Sequence, residues 1–532
     1  MKKIIKIMLV LCVSMMWAMS TYATEGEMVY EYGDEGIVNE SVELSVPVTA
    51  GKDYSVTVEF TGVTDAASKI NLGYDMVIND QMVPNVDGSN DRSGLIDETV
   101  VVGTVESRTF SVAATSDTLT IKANGSGKIT KITVKPLEIK KEDKTVIFTI
   151  GDSLVQTYTD YYAPQTGWGQ TLQDYFDVNK VVVANHALGG RSSGSFMREG
   201  RLNQVLINVK PGDFVLVEFG HNDASKDKVD RYTSVEDYKL YLKEQYIIPI
   251  EQRGGIPVLV TLCNRNDYNQ STGQFNVSFE RYVVAMREVA EETGTLLMDL
   301  NARTVKEFTE LNNKYGIGIT EEIIFNHADA GEYDGAYADG VADNTHLQKY
   351  GAKLVGGFVA EGLCELDIDV LKDAYVASAV SGDKPSTPSN LQALSKIRTL
   401  RKIGWDECKG ADFYQIYVAE VVDGKTGEYE LVGLATTNSY VYGKADAKAT
   451  YKFKVVAVNG AGESKESEEL LYEPVGGKKN KVNEETTATM ENTDEGGLNA
   501  YVIIGIVAAI VVVVGVIAGV VVKKKKKLQT GR

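Results

Sequence analysis

The chain has 532 residues, too many for a single hydrophobic core, and its length predicts about three folded units of ordinary size. The formal net charge of −19 at pH 7 argues against nucleic acid or an anionic lipid surface as a partner, because both repel an acidic protein. Only four cysteines are present, which does not suit a disulfide framework.

The first 23 residues have the pattern of a secretory signal peptide. Lys2, Lys3 and Lys6 precede an apolar run, and small residues close the segment at Ala23. We therefore expect residues 1–23 to be removed and the rest to be exported.

Residues 28–137 consist of short alternating apolar and polar stretches separated by Gly, Asn and Asp clusters. Val42-Glu43-Leu44-Ser45-Val46 is one such stretch. Alternation with a period of two predicts an antiparallel β-sandwich. No motif in this region separates a sugar-binding module from a passive spacer.

Residues 144–373 follow a different pattern, in which short apolar runs alternate with helical stretches such as 235–253 and 279–293. Five strands are predicted, at 146–150, 181–184, 214–219, 257–262 and 296–300. Strands that alternate with helices indicate an α/β domain with a parallel sheet covered on both faces. In such a domain the ligands bind at the carboxyl ends of the strands.

Residues 390–473 predict a second β-sandwich, which resembles a fibronectin type III module. Trp405 lies in an early strand, and the stretch 449–459 forms a late strand that ends in Gly460-Ala461-Gly462. A polar, low-complexity stalk follows at 476–497.

Residues 500–522 carry no charge and are long enough, as a helix, to cross a bilayer. Five lysines, Lys523 to Lys527, follow directly, and positive charge beside a membrane span remains on the cytoplasmic side. We expect one transmembrane helix, a basic cytoplasmic tail at 523–532 and an extracellular location for the preceding domains.

The mature chain would contain Cys263, Cys364 and Cys408. This odd and sparse set favours free thiols. Cys263 and Cys364 fall in the same predicted domain, so the sequence leaves their pairing open.

A serine lies on the turn after the first strand of the α/β domain, within Gly151-Asp152-Ser153-Leu154. This tetrapeptide is a weak signal alone, since Asp152 or Ser153 can also cap a helix. Two further polar blocks, 185–193 and Gly220-His221-Asn222-Asp223, follow the second and third strands, and a third, Asp343-Asn344-Thr345-His346, lies near the end of the domain. With all four blocks in this order, the domain resembles the SGNH hydrolases.

More blocks between residues 144 and 370 are similar to those of rhamnogalacturonan acetylesterases. They are Gly167-Trp168-Gly169-Gln170, Gly190-Arg191-Ser192, Arg198-Glu199-Gly200-Arg201, Pro211-Gly212-Asp213 and His327-Ala328-Asp329-Ala330. The resemblance implies a flavodoxin-like three-layer fold and a serine esterase activity. Separately, the length and position of residues 28–137 resemble those of the carbohydrate-binding-like sandwiches that precede many bacterial esterases.

Three of these residues suit nucleophilic catalysis. A serine hydroxyl needs a base to take its proton, and neutral imidazole suits this task near pH 7. We therefore predict Ser153 as the nucleophile and His346 as the base. Asp343 lies three residues before His346, so a turn of chain can bring its carboxylate to the imidazole.

The SGNH resemblance implies that the backbone N–H of Ser153, the N–H of Gly190 and the side chain of Asn222 form the oxyanion hole. Each of these residues also has a structural interpretation. Gly190 can be a plain turn residue, Asn222 a strand-end cap and Asp343 a helix cap.

Two residues are candidates for substrate binding. Arg191 could pair with a galacturonate carboxylate. Trp168 could stack on a sugar ring or pack at the start of a helix.

The mature chain has four histidines, His186, His221, His327 and His346. None has zinc-binding spacing to other ligands, so we expect no metal and no cofactor.

The sequence thus predicts a cell-surface serine esterase that removes O-acetyl groups from a plant cell-wall polysaccharide, with pectic rhamnogalacturonan as the first candidate. Two alternatives remain open at this point. One is an acetylesterase for another O-acetylated glycan such as xylan, and the other is a carbohydrate-binding adhesin with a relic hydrolase domain.

Overall fold

The structure is a computed structural model that describes most of the region between residues 26 and 473. The described ranges are 26–34, 37–38, 41–61, 69–70, 77–78, 81–82, 98–99, 106–124, 128–376, 382–394, 401–446 and 448–473. The predicted signal peptide, stalk, transmembrane helix and tail lie outside these residues. Within them, every helix is too short or too polar to cross a bilayer.

The N-terminal region contains two main antiparallel sheets, one of four strands and one of five. Its strands, β1 to β11, are Met28–Glu31, Ile37–Val38, Ser41–Pro47, Asp53–Thr61, Lys69–Ile70, Val77–Ile78, Gln81–Met82, Glu98–Thr99, Glu106–Ala113, Thr118–Asn124 and Lys128–Pro136. Alternate residues of the long strands, among them Val46, Val56, Leu119 and Val134, are fully buried in one cluster. The alternating pattern of the sequence therefore produces a one-sided apolar face on each strand.

The central domain is built on a five-stranded parallel sheet. Its strands, β12 to β16, are Thr145–Gly151, Val181–Asn185, Phe214–Glu218, Ile256–Val260 and Leu296–Met298. The spatial order is β13-β12-β14-β15-β16, and every neighbouring pair is parallel. This is the flavodoxin-like order 2-1-3-4-5, in which β12 and β14 border the switch point where ligands bind.

Helices cover both faces of this sheet. They are α1 to α10, at Trp168–Thr171, Ser193–Arg198, Arg201–Leu206, Val235–Tyr241, Ile248–Gln252, Glu280–Thr293, Leu300–Tyr315, Ile319–Ile323, Lys349–Glu365 and Asp369–Ala374, with 3-10 turns at Asp160–Tyr162, Leu172–Tyr175 and Gly335–Tyr337. The predicted helix at 235–253 is divided by a π-helical turn at Leu242–Ile247. The predicted helix at 279–293 begins one residue later, at Glu280.

A two-stranded hairpin follows the sheet, with β17 at Phe325–Ala328 and β18 at Val341–Leu347. Phe325 pairs with Leu347 and His327 pairs with Ala342, so the register shifts between these two pairs. Residues 343–346 therefore bulge out of the ladder, and bulges of this kind re-aim side chains beside active sites.

The C-terminal region is a second β-sandwich. Its strands, β19 to β27, are Gln392–Ala393, Arg401–Gly404, Phe413–Val422, Lys425–Thr426, Glu430–Ala435, Ser439–Tyr442, Thr450–Asn459, Gly462–Glu463 and Leu470–Tyr472. Trp405 packs in its core, with its ring 5.0 Å from that of Tyr414.

Both sandwiches contact the central domain through specific hydrogen bonds. On the N-terminal side, buried Asn203 accepts from the N–H of Ala113 at 2.8 Å and donates to the carbonyl of Ser111 at 2.7 Å. On the C-terminal side, Lys353 pairs with Asp412 at 2.6 Å. Cys263, Cys364 and Cys408 are all free thiols.

Candidate active site

Ser153 lies two residues after the end of β12, at the carboxyl edge of the sheet. A Cβ atom on Gly151 would lie 2.6 Å from the Val155 side chain and 2.7 Å from the carbonyl of Glu218, so only glycine allows the chain to turn so close to β14. Asp152 is fully buried, and its Oδ1 accepts from the N–H of Leu154 at 3.0 Å. This tight turn leaves the Ser153 side chain half-buried at the strand end.

His346 lies in the bulge of β18 and contacts Ser153. The distance from His346 Nε2 to Ser153 Oγ is 2.9 Å, and that from His346 Nδ1 to Asp343 Oδ2 is 2.6 Å. An ionised carboxylate only accepts hydrogen bonds, so Nδ1 donates to Asp343 and Nε2 is left to accept the hydroxyl proton of Ser153. The three residues thus form a continuous hydrogen-bonded chain.

Asp343 is held in its charged form. Burial by itself raises the pKa of Asp343. The hydrogen bond from His346, the electrostatic attraction of His346 and the N–H groups of Thr345 and His346 outweigh burial, so the pKa of Asp343 is lowered. The N–H of Thr345 donates to Asp343 Oδ1 at 2.7 Å and that of His346 at 3.2 Å. The bulge itself, and not a helical turn, therefore brings the carboxylate to the imidazole.

The loop after β13 approaches the serine turn closely. The N–H of Leu188 donates to the carbonyl of Gly151 at 3.1 Å, and a Cβ atom on Gly189 would lie 3.3 Å from Ser153 Cβ. Gly190 has a φ of +80°, which a side chain would strain. The backbone around Gly190 is therefore fixed beside the Ser153 turn.

Asn222 follows β14 and faces both of these segments. Its Nδ2 donates to the carbonyl of Arg191 at 3.1 Å and lies 3.4 Å from Asp152 Oδ2, while its Oδ1 accepts from Arg231 Nη1 at 3.2 Å. The structure therefore brings Ser153, Gly190 and Asn222 to one edge of the sheet.

Of the two roles predicted for Trp168, the structure contradicts sugar stacking. Its side chain is fully buried in the core, and its Nε1 donates to Glu218 Oε2 at 2.6 Å. A ring with no exposed face cannot stack on a sugar, so the predicted substrate-binding role of Trp168 is wrong. The structure agrees instead with packing at the start of a helix.

Arg191 also has partners that the prediction did not include. Its Nε contacts both carboxylate oxygens of Glu199, at 2.9 and 3.1 Å, and its Nη1 donates to the carbonyl of Gly189 at 3.0 Å. Only 13% of the side chain is exposed. The guanidinium is therefore paired with a carboxylate of the protein, and its binding of a substrate carboxylate stays a prediction.

Two ionisable residues near the site were missed by sequence reasoning. Glu218 is fully buried, and burial, followed by the nearby charge of Asp152, raises its pKa to about 8. Glu218 lies at the end of a strand, two residues before Gly220-His221-Asn222-Asp223, and this position could have identified it from the sequence as a residue near the site. Arg231 lies in a loop with no local pattern, so only the tertiary structure reveals it.

The remaining histidines do not join this chain of hydrogen bonds. His186 packs 5.8 Å from the ring of Phe148, and burial lowers its pKa. His221 Nδ1 lies 3.5 Å from Asp152 Oδ2. In the described part of the chain, no group of three or more His, Cys, Asp or Glu side chains is arranged to hold a metal ion.

Comparisons with known proteins agree with this geometry. Residues 149–354 match the model of the GDSL-like lipase/acylhydrolase family. The probable rhamnogalacturonan acetylesterase YesY of Bacillus subtilis is 39% identical over 223 residues, which cover 42% of this chain and 94% of that protein. Rhamnogalacturonan acetylesterase RhgT of the same organism is 33% identical over 231 residues, with 43% and 94% covered.

A solved structure of an Fn3-like protein from Clostridium thermocellum is also similar to part of the chain, with 23% identity, 17% of this chain and 92% of that chain covered, and a TM-score of 0.15. The bacterial relatives are matched over nearly their whole length and contain the same central domain. The chain therefore belongs to the GDSL-like lipase/acylhydrolase family and is a carboxylic ester hydrolase.

Proposed function

We propose that this protein is a serine esterase that removes O-acetyl groups from a plant cell-wall polysaccharide, with pectic rhamnogalacturonan as the main substrate. The observation that carries this proposal is the hydrogen-bonded chain from Ser153 Oγ through His346 to Asp343, with distances of 2.9 and 2.6 Å. It lies at the carboxyl edge of a parallel sheet, where ligands bind in such folds.

In the acylation step, Ser153 Oγ attacks the acetyl carbonyl carbon while His346 Nε2 takes the hydroxyl proton. Asp343 accepts the Nδ1 hydrogen bond and stabilises the imidazolium that forms. His346 then returns the proton to the sugar oxygen, which leaves as an alcohol, and the acetyl group remains on Ser153.

The negative oxygen of the tetrahedral intermediate needs fixed donors. We assign this role to the N–H groups of Ser153 and Gly190 and to Nδ2 of Asn222. In the second half of the reaction, water repeats the attack on the acetyl-serine with His346 as base, and acetate is released.

The choice of substrate is supported by the two relatives named above, both of which are called rhamnogalacturonan acetylesterases. The acidic sugars of such a polymer call for positive charge at the site. Arg265, which donates to Asn344 Oδ1 at 2.8 Å, supplies it.

The test is acetate release by the purified region 24–497 from acetylated pectin, xylan and mannan, with Ser153→Ala as the control. We expect release from pectin and loss of at least about 10³ in kcat for the variant. Release from xylan or mannan alone would show that this polymer, and not pectin, is the substrate. No release from any of the three would contradict the esterase assignment.

We further propose that the enzyme acts at the cell surface, with the polar stalk and the apolar segment 500–522 as a tether and the N-terminal sandwich as a carbohydrate-binding module. The support is the sequence pattern of a signal peptide, an uncharged segment and Lys523 to Lys527. Removing residues 500–532 should release an active enzyme from the membrane fraction. Full-length protein that is resistant to external protease on intact cells would contradict this location.

A further inference from the structure

Arg231 borders two of the residues assigned to the oxyanion hole. Its Nη1 donates to Asn222 Oδ1 at 3.2 Å. A Cβ atom built on Gly190 would lie 3.5 Å from the same nitrogen, so the guanidinium also lies against the Gly190 backbone. The side chain comes from the loop that follows Asn222, in which the N–H of Arg231 donates to the carbonyl of Lys228 at 3.1 Å.

The contacts of Asn222 fix the orientation of its amide. A guanidinium can only donate, so the carbonyl end of the amide must face Arg231. The carbonyl of Arg191 can only accept, so the NH₂ end must face the opposite way. These two partners exclude the flipped amide, which would place an acceptor against a carbonyl oxygen and a donor against a guanidinium.

This orientation matters for the proposed chemistry. With the amide as it lies, Nδ2 is on the side of Asp152, the residue before the nucleophile. A flipped amide would present Oδ1 to the developing oxyanion and would repel it. The charge of Arg231 also polarises the amide through Oδ1, which strengthens Nδ2 as a donor.

We propose that Arg231 is a positioning residue that holds the Asn222 amide in the orientation needed to stabilise the oxyanion. This inference rests on the proposed esterase function. Arg231 does not need to touch the acetyl group, since it acts through Asn222.

A different role would leave a different kinetic signature. If Arg231 bound a carboxylate of the substrate, its loss would raise KM for an acidic polymer and would leave a small neutral ester unaffected. A positioning role predicts a lower kcat on both substrates, because the oxyanion forms with either.

The experiment measures kcat and KM on p-nitrophenyl acetate for Arg231→Met and Arg231→Lys, each made in the wild-type and the Asn222→Ala backgrounds. We expect Arg231→Met to lower kcat by about 10 to 10², since a small misplacement of a catalytic group has an effect of this size. KM should change by less than about twofold. Arg231→Lys should recover most of the loss, because an ammonium group can still donate to Oδ1.

The double variants give the sharper result. In the Asn222→Ala background, Arg231→Met should lower kcat by less than about threefold, because residues that act as one unit are not additive. Arg281→Ala is the matched control, since it removes an exposed arginine from helix α6 and should leave kcat unchanged.

Two results would overturn the inference. One is an equal loss from Arg231→Met in both backgrounds, and the other is an unchanged kcat of Arg231→Met on p-nitrophenyl acetate, which a carboxylate-binding role predicts. If Arg231→Met lowers the unfolding midpoint strongly, Arg231→Lys takes its place in the comparison. A loss of kcat from Arg231→Lys that is equal in the wild-type and Asn222→Ala backgrounds would then overturn the inference. Failure of the esterase function itself would appear separately, as wild-type activity no higher than that of Ser153→Ala.

Discussion

Thr436 of the C-terminal sandwich donates a 2.7 Å hydrogen bond to Oε1 of Gln348, the residue that lies two positions after His346. Gln348 is 1% exposed, and its Nε2 donates to the carbonyls of Glu322 and Phe325. The sandwich therefore contacts the segment that carries the proposed base, and the bond links the two domains directly.

Replacing Thr436 with Val should destabilise the protein by about 1 to 3 kcal/mol, because Oε1 of Gln348 would remain buried without this donor. We also expect a severalfold lower kcat with KM unchanged, since the hairpin of His346 loses a support. Urea unfolding and kinetics on p-nitrophenyl acetate measure both effects.

Thr437→Val is the matched control. Thr437 donates at 2.7 Å to Glu332, a half-buried carboxylate that water can reach. Its replacement should therefore be milder in both measurements. Equal effects from the two variants would show that the Gln348 bond has no special role.

Asn222→Ala should lower kcat by about 10² to 10³ with little change in KM, because the amide is assigned to the oxyanion and not to the bound ester. Asn222→Asp should be at least as harmful, since it places a negative charge near the oxyanion. A tenfold rise in KM with kcat intact would make Asn222 a binding residue.

Asp343→Asn should lower kcat by about 10² to 10⁴, because an amide at this position favours the wrong imidazole tautomer. The pKa of Asp343 is lowered, so this carboxylate remains ionised and available to the imidazole of His346 on mild acidification. Steady-state kinetics on p-nitrophenyl acetate measure the effect of the substitution. A kcat of Asp343→Asn close to that of wild type would contradict the role of Asp343.

Trp168→Phe should destabilise the central domain by about 1 to 3 kcal/mol, since it removes the N–H that donates to the buried carboxyl group of Glu218. The KM for acetylated pectin should remain within about twofold of wild type, because the buried ring does not reach the substrate. Denaturant unfolding tests the loss of stability, and steady-state kinetics on acetylated pectin test the KM. A large rise in KM without loss of stability would restore the stacking role.

Glu218 should make stability depend on pH. Burial and the charge of Asp152 raise its pKa to about 8, so the folded state holds a proton that the unfolded state releases near its ordinary pKa. Its contribution to stability is full below that ordinary value and declines as pH rises towards about 8, by at most about 1.4 kcal/mol per pH unit. Glu218→Gln should flatten this decline.

Part of the decline should persist in that variant. Burial also raises the pKa of Asp223, to about 7, so a second carboxyl group contributes to the same slope. Denaturant unfolding at several pH values between 5 and 8 gives the comparison, and an identical slope in Glu218→Gln and wild type would contradict the prediction.

The fold class of the central domain and the place of Ser153 at the end of its first strand were readable from the sequence, because both depend on short-range patterns. Apolar runs that alternate with helical periods predict a parallel sheet, and the turn of Gly151-Asp152-Ser153 must follow its strand. The pairing of Asp343 with His346 was likewise predictable, since Asp343 lies only three positions before His346.

The roles of Trp168, Arg191 and Arg231 depended on the tertiary structure. An indole or a guanidinium can bind a ligand or a carboxyl group of the protein equally well, and only the folded chain decides which partner it meets. Trp168 meets Glu218 fifty residues away, whereas Arg191 meets Glu199 across one short helix. Burial and long-range contact, which local sequence does not encode, therefore separated core residues from those left to face a substrate.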